Sequence, residues 1–88
     1  MKIIISPRAE KELKKIAKID QIAIVRKIRL IKESTLSLNE EKLSGYKNIY
    51  RMRVGEYRIV YQRTVNQIYI VLIGHRKDIY RLVDQLFR

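Results

Sequence analysis

Only Gly55-Glu56 separates two runs rich in β-branched and aromatic side chains, Ile49–Val54 and 57–62. A two-residue connection of this kind joins antiparallel strands, and glycine in the first place supplies the positive φ of a type II′ turn. The turn fixes a register in which Val54 faces Tyr57, Arg53 faces Arg58, Met52 faces Ile59 and Arg51 faces Val60. Side chains alternate along a strand, so Tyr50, Met52, Val54, Tyr57, Ile59 and Tyr61 share one face, apolar enough to be core. Arg51, Arg53 and Arg58 share the other face with Val60 and Gln62.

The rest of the chain is organised around this hairpin. A third strand is expected over 67–73, and its stretch 68–73 is apolar on both faces, which suits an interior position in a sheet. At the start, Lys2–Ile5 reads as a short strand that stops at Ser6-Pro7, an N-cap followed by proline in the first helical position. Ala9, Leu13, Ile16 and Ala17 then recur on one helical face. Asp20 is expected to cap a second helix with Ile24, Val25, Ile28 and Ile31 buried, the two helices forming a hairpin broken around 18–20. Residues 34–42 read as a loop pinned by Leu36, Leu38 and Leu43. Asp78 is expected to cap a last helix with Ile79, Leu82, Val83 and Leu86 on its core face. With 88 residues there is room for one core, so 1–88 is read as a single domain. The order β-α-α-β-β-β-α predicts an α+β fold: a helical hairpin and a short C-terminal helix packed on a largely antiparallel, four-stranded sheet.

Composition removes several function classes. The chain has no cysteine and one histidine, so thiolate metal sites and disulfides are excluded and no metal or other cofactor is expected. No apolar stretch approaches membrane-spanning length, and Lys11, Lys14 and Lys15 interrupt any leader-like core, so a cytoplasmic protein without membrane contact is expected. Twenty Lys and Arg against nine Asp and Glu leave a net charge of +11, the kind of excess that repels itself in a compact fold and suits a polyanionic partner. Residues 1–45 hold eleven bases against six acids and residues 46–88 nine against three, with arginine concentrated in the second part. Arginine grips phosphate through two parallel hydrogen bonds from a planar fork.

The hairpin register places two of these arginines, Arg53 and Arg58, directly across from each other. Like charges so placed destabilise a sheet by a few tenths to about 1 kcal/mol, an arrangement that makes sense when an anion sits between them. A solvated arginine face is the alternative. The segment Ile73-Gly74-His75-Arg76-Lys77-Asp78-Ile79-Tyr80 ends the interior strand and can bring Arg76 and one aromatic ring beside the hairpin. Tyr80 lies about a quarter-turn off the apolar stripe of the last helix, able to pack in part and still expose its ring. Arginines with an accessible aromatic suit single-stranded RNA, whose phosphates need cations and whose unstacked bases need a platform.

Two segments together, LSGYKNIYRMRVGEYRIVYQ (43–62) and IGHRKDIYRLV (73–83), resemble the RelE branch of the RelE/ParE toxin superfamily, and the order of elements matches over essentially the whole chain. The resemblance implies the toxin of a type II toxin–antitoxin pair, a ribosome-dependent endoribonuclease that cuts mRNA in the A site without metal. In that reaction the 2′-hydroxyl of the nucleotide attacks the adjacent phosphodiester and leaves a cyclic phosphate and a 5′-hydroxyl. Carried over by position, Arg51 and Arg53 fall where family members have lysines, Arg58 on the phosphate-stabilising arginine, and Arg76 on the arginine linked to leaving-group protonation. Tyr80 falls near the base-stacking tyrosine, at a shorter spacing from the arginine. The remaining cations of the second half, Lys47, Arg63, Lys77 and Arg81, are expected to contact RNA. An antitoxin partner is implied as well, acidic and partly disordered when free, besides the ribosome and mRNA.

Arginine in place of lysine changes the chemistry. A lysine crowded by cations can lose its proton and act as a base; arginine stays protonated and serves to stabilise charge. His75, the one side chain that ordinarily titrates near neutrality, is a candidate to share the proton work, although strand alternation sends it to the face opposite Arg76. A nuclease of the pancreatic type, which needs two histidines, is excluded. Two other functions stay open: a ParE-like inhibitor of DNA gyrase on the same fold, and a non-catalytic ribosome- or RNA-binding protein.

Overall fold

Ser6 and Pro7 turn the chain from strand to helix. The structure, a computed structural model, describes residues 2–33 and 40–87. β1 (Lys2–Ile5) ends at Ser6, whose hydroxyl accepts the Ala9 N–H at 3.0 Å and donates to the Val71 carbonyl at 2.8 Å. One side chain thus caps α1 (Pro7–Lys15) and ties it to the sheet, and Pro7 occupies the helical position where a missing N–H is harmless.

The helical hairpin breaks earlier than expected. Ile16 is already extended, and the Gln21 side-chain amide donates to the carbonyls of Leu13 and Ile16, 2.9 Å each, closing the end of α1. α2 (Lys18–Glu33) starts on the Ala17 carbonyl, which accepts from the N–H groups of Asp20 and Gln21. Asp20 therefore lies inside the first turn, where its charge still suits the helix dipole, and does not cap it. Ala17, expected in the core, is exposed at the corner.

The sheet has five strands, ordered β1-β5-β4-β3-β2, where four were expected. The addition is β2 (Glu40–Lys42), three charged residues from a segment read as loop, pairing antiparallel with β3 (Ile49–Val54). Leu36 and Leu38 lie outside the described residues, whereas Leu43 does pack against the core. β3 pairs with β4 (Tyr57–Arg63) in the register set by the turn, including Val54 opposite Tyr57 and Arg53 opposite Arg58. Gly55 has φ +58° with nothing within 4 Å of a would-be Cβ, so the turn needs glycine for its backbone and not for space. β5 (Gln67–His75) lies between β4, antiparallel, and β1, parallel.

Helices cover both faces. On one, α1 and α2 bury Ala9, Ile24, Ile28 and Ile31 against Met52, Ile59, Tyr61 and Ile70, the apolar face that alternation gave. On the other, α3 (Ile79–Phe87) covers Ile49, Val60, Val71 and Leu72. A register shift opposite Val60/Tyr61 lets the consecutive residues Val71 and Leu72 both join this second core. Val60, assigned to the arginine face, is accordingly buried, because α3 lies across that end of the strands. Leu86 is 41% exposed, and Phe87 packs in its place against Tyr46 with ring centroids 5.3 Å apart.

Candidate nucleic-acid interface

One face of the sheet is divided along its strands. Ile49, Val60 and Leu72 are roofed by α3, while towards the hairpin turn the same face continues with Arg51 and Arg53 on β3, Arg58 on β4 and Gly74 on β5. Gly74 stands opposite Arg58, and a Cβ there would meet Ile79 Cδ1 at 3.3 Å and Leu82 Cδ1 at 3.5 Å. The missing side chain lets the start of α3 settle onto the strand. The turn between β5 and α3 then folds back over the hairpin, where the Arg76 N–H donates to the Glu56 carbonyl at 2.8 Å.

Arg51, Arg53, Arg58, Arg76, Lys77 and Tyr80 line a single open cavity of about 470 Å³. Five expected catalytic residues and one expected RNA contact, from two strands, the turn after β5 and a helix, thus meet at one place. Tyr80 is half exposed, as its offset from the apolar stripe required. Its hydroxyl accepts from Arg51, whose guanidinium carbon is 5.8 Å from the ring centroid.

The arginines are not equivalent. Arg51 was expected on an open face, but it is buried, 6% exposed, because Tyr80 covers it from α3 and Glu41 from β2. Its Nη2 is 2.5 Å from a Glu41 carboxylate oxygen. Arg76 is open to solvent and its Nε is 2.6 Å from a Glu56 carboxylate oxygen. Arg58 folds back over the turn and donates to the carbonyls of Gly55 at 3.0 Å and Tyr57 at 2.9 Å. Among the described residues neither Arg53 nor Arg58 has a carboxylate partner.

Other expected contacts are not brought to this cavity. His75 projects to the face of Tyr57, ring edge to ring at 5.8 Å, and its Nδ1 accepts the Lys77 N–H at 3.1 Å. Arg63 lies on the helical-hairpin face, 2.5 Å from Glu40 and stacked over Tyr50 and Tyr61. Its guanidinium holds β2 to β4 and is not offered to a ligand. Tyr61 also donates to Glu40; burial first, then Glu40, pushes its phenol well above the ordinary tyrosine range, and Arg63 offsets part of this. The bonds from Glu40 and Tyr61 outweigh the desolvation of Arg63 and leave its guanidinium still harder to deprotonate. Lys47 is exposed beyond the far end of β3, and Arg81 pairs with Asp78 at 3.5 Å.

Glu41 and Glu56 are the site residues that sequence reasoning missed. Glu56 could have been found, since it is the second turn residue beside Arg58; Glu41 could not, because it reaches Arg51 through a strand that the sequence does not announce. Among the described residues no group of three or more His, Asp or Glu could hold a metal ion, and no helix is long and apolar enough to cross a membrane.

The family model for the ParE toxin of the type II toxin–antitoxin system parDE matches residues 3–80. The chain belongs to this toxin family. Within the RelE/ParE superfamily the toxin stands on the RelE branch, as its two segments suggested. It is 30% identical to a chain in the RelB–RelE antitoxin–toxin complex from Methanococcus jannaschii, covering 90% of this chain and 96% of that one, with a TM-score of 0.76. Toxin RelE3 of Methanocaldococcus jannaschii is 44% identical over 45 residues, a stretch that spans about half of either chain (51%). The YoeB dimer from Staphylococcus aureus shares the fold at 25% identity and a TM-score of 0.73, with 86% of the toxin and 97% of that chain covered.

Proposed function

We propose that this toxin is a ribosome-dependent endoribonuclease that cuts mRNA in the A site by attack of a 2′-hydroxyl on the adjacent phosphodiester. The 2′-oxygen forms a bond to phosphorus, the bond to the 5′-oxygen breaks, and a 2′,3′-cyclic phosphate and a 5′-hydroxyl remain. Arg58 and Arg76 neutralise the charge that grows on the non-bridging oxygens, and Arg53 adds to the same field. Arg76 stands where the leaving 5′-oxygen is protonated, and Tyr80 supplies the platform for an unstacked base. Arg51, held by Glu41 and Tyr80, fixes the orientation of that platform. No arginine accepts the proton of the 2′-hydroxyl, which passes to water while water protonates the 5′-oxygen; the chain supplies charge and position, holding the 2′-oxygen in line with the bond that breaks.

The observation that carries this reading is the convergence of four arginines, a lysine and a half-exposed tyrosine on one cavity. A relative crystallised as a RelB–RelE complex supports an antitoxin partner for this chain. With +11 on the toxin, that partner is acidic, with a segment that orders on binding. The ribosome and mRNA are the other partners, which sets the place of action in the cytoplasm.

A second reading, gyrase inhibition, is favoured by the ParE description of the matching family. Toeprinting on programmed ribosomes with mapping of the cut ends, run beside a gyrase supercoiling assay, separates the two. We expect A-site cuts with cyclic-phosphate ends and unaffected supercoiling. Ribosome binding without cuts would leave a non-catalytic binder, and loss of supercoiling would give the gyrase reading.

A further inference from the structure

Two carboxylates touch the arginine cluster, and they are held in different ways. Glu41 meets Arg51, whose side chain is 8% exposed and is bonded to Tyr80 as well, so this pair is built in. Glu56 meets Arg76 in the open: their side chains are 62% and 54% exposed. The backbone at Glu56 is fixed independently of its side chain, by the glycine turn and by the Arg76 N–H on its carbonyl at 2.8 Å. The carboxylate can therefore swing away without disturbing the hairpin. The His75 Nε2, its other side-chain neighbour, is 3.9 Å away, beyond hydrogen-bond reach.

We propose that Glu56 is a displaceable internal counter-ion that occupies the Arg76 guanidinium until a phosphate of the RNA takes its place. An exposed carboxylate on an arginine of the cavity mimics the anion that the cavity is suited to bind, and a bound phosphate must exchange with it. Glu56 is thus a positioning residue that lowers affinity for RNA and keeps Arg76 ordered near the turn while the site is empty. The proposal rests on the nuclease reading for the identity of the phosphate, but not for the exchange itself.

The test uses Glu56→Gln, which keeps the turn and removes the charge, with Glu10→Gln as a control that changes net charge equally on α1. The probe is a 2′-O-methylated hexanucleotide RNA, which cannot be cut, titrated into the free protein while the Arg76 Nε–H resonance is followed. We expect Glu56→Gln to bind about two- to five-fold more tightly, the scale of one exposed ion pair, and Glu10→Gln to bind as wild type. The wild-type Arg76 resonance should move on titration, from a starting position that differs in Glu56→Gln. On programmed ribosomes the gain should fall in KM and not in kcat. Unchanged or weaker binding by Glu56→Gln, or an equal gain from Glu10→Gln, overturns the proposal. If wild type leaves no cyclic-phosphate ends yet Glu56→Gln still tightens binding, the nuclease reading fails and the exchange stands.

Discussion

Arg53 and Arg58 face each other across the β3–β4 hairpin, one residue from the turn on either side. Arg58 eases the repulsion by folding its guanidinium over the turn carbonyls, while Arg53 remains exposed. The pair costs the free fold what a like-charged cross-strand contact costs, a few tenths to about 1 kcal/mol. Arg53→Gln should therefore stabilise the protein by that amount in chemical denaturation while lowering its cleavage rate. A variant that is less stable than wild type would show that the fold gains from Arg53 by some other contact.

Arg58 and Arg76 are the two guanidiniums that the proposed reaction places on the phosphate. Arg58→Ala and Arg76→Ala should each reduce cleavage on programmed ribosomes by at least about two orders of magnitude, the scale of losing one stabilising donor in a transition state. Arg58 binds one exposed and one partly buried carbonyl beside the turn and Arg76 an exposed carboxylate, so folding, read by circular dichroism, should be little changed. Cutting at the wild-type rate by both variants would remove the assignment.

Tyr80 offers a ring and a hydroxyl, and two variants tell them apart. Tyr80→Ala removes the stacking platform, worth about 1–3 kcal/mol per base, and should weaken cleavage by about five- to 150-fold. Tyr80→Phe keeps the ring and loses only the acceptor for Arg51, so its deficit should stay below about tenfold. Equal deficits would mean that holding Arg51 is the whole contribution of Tyr80.

Much of this geometry was legible because local chemistry decided it. Gly55-Glu56 set the turn, the turn set the register, and the register alone put Arg53 opposite Arg58. Ser6-Pro7 marked the start of α1 in the same local way. What could not be read depends on distant partners. β2 consists of Glu40, Glu41 and Lys42, with no apolar alternation; it is a strand because Glu40 meets Tyr61 and Arg63 on one face while Glu41 meets Arg51 on the other. The burial of Arg51 follows from that strand and from the path of α3, neither of which is written near residue 51. The choice of Phe87 over Leu86 likewise turns on where Tyr46 happens to lie.

His75 is the remaining candidate for proton work, and its placement argues against that role. Its ring packs on Tyr57, on the face away from the cavity, and its Nδ1 is occupied by the Lys77 N–H. His75→Ala should leave the pH dependence of cleavage as in wild type. A limb that disappears from the profile in this variant would restore the histidine to the mechanism.

The Tyr61–Glu40–Arg63 network makes a prediction about alkaline stability. Tyr61 is fully buried and holds its proton well above the ordinary tyrosine range, first through burial and then through Glu40. In the unfolded chain the same phenol loses its proton near pH 10. Below that pH both states are protonated and the contribution of the network is fully present. Above it only the unfolded state ionises, so stability falls by up to about 1.4 kcal/mol per pH unit. Tyr61→Phe removes the proton and with it this slope, at a cost at neutral pH of about 0.5–1.5 kcal/mol for the lost hydrogen bond. Denaturant titrations of both proteins at pH 8 and pH 11 check the sign: the gap between wild type and variant should narrow as pH rises. A gap that stays constant would mean that Tyr61 ionises as readily in the folded protein as in the unfolded chain.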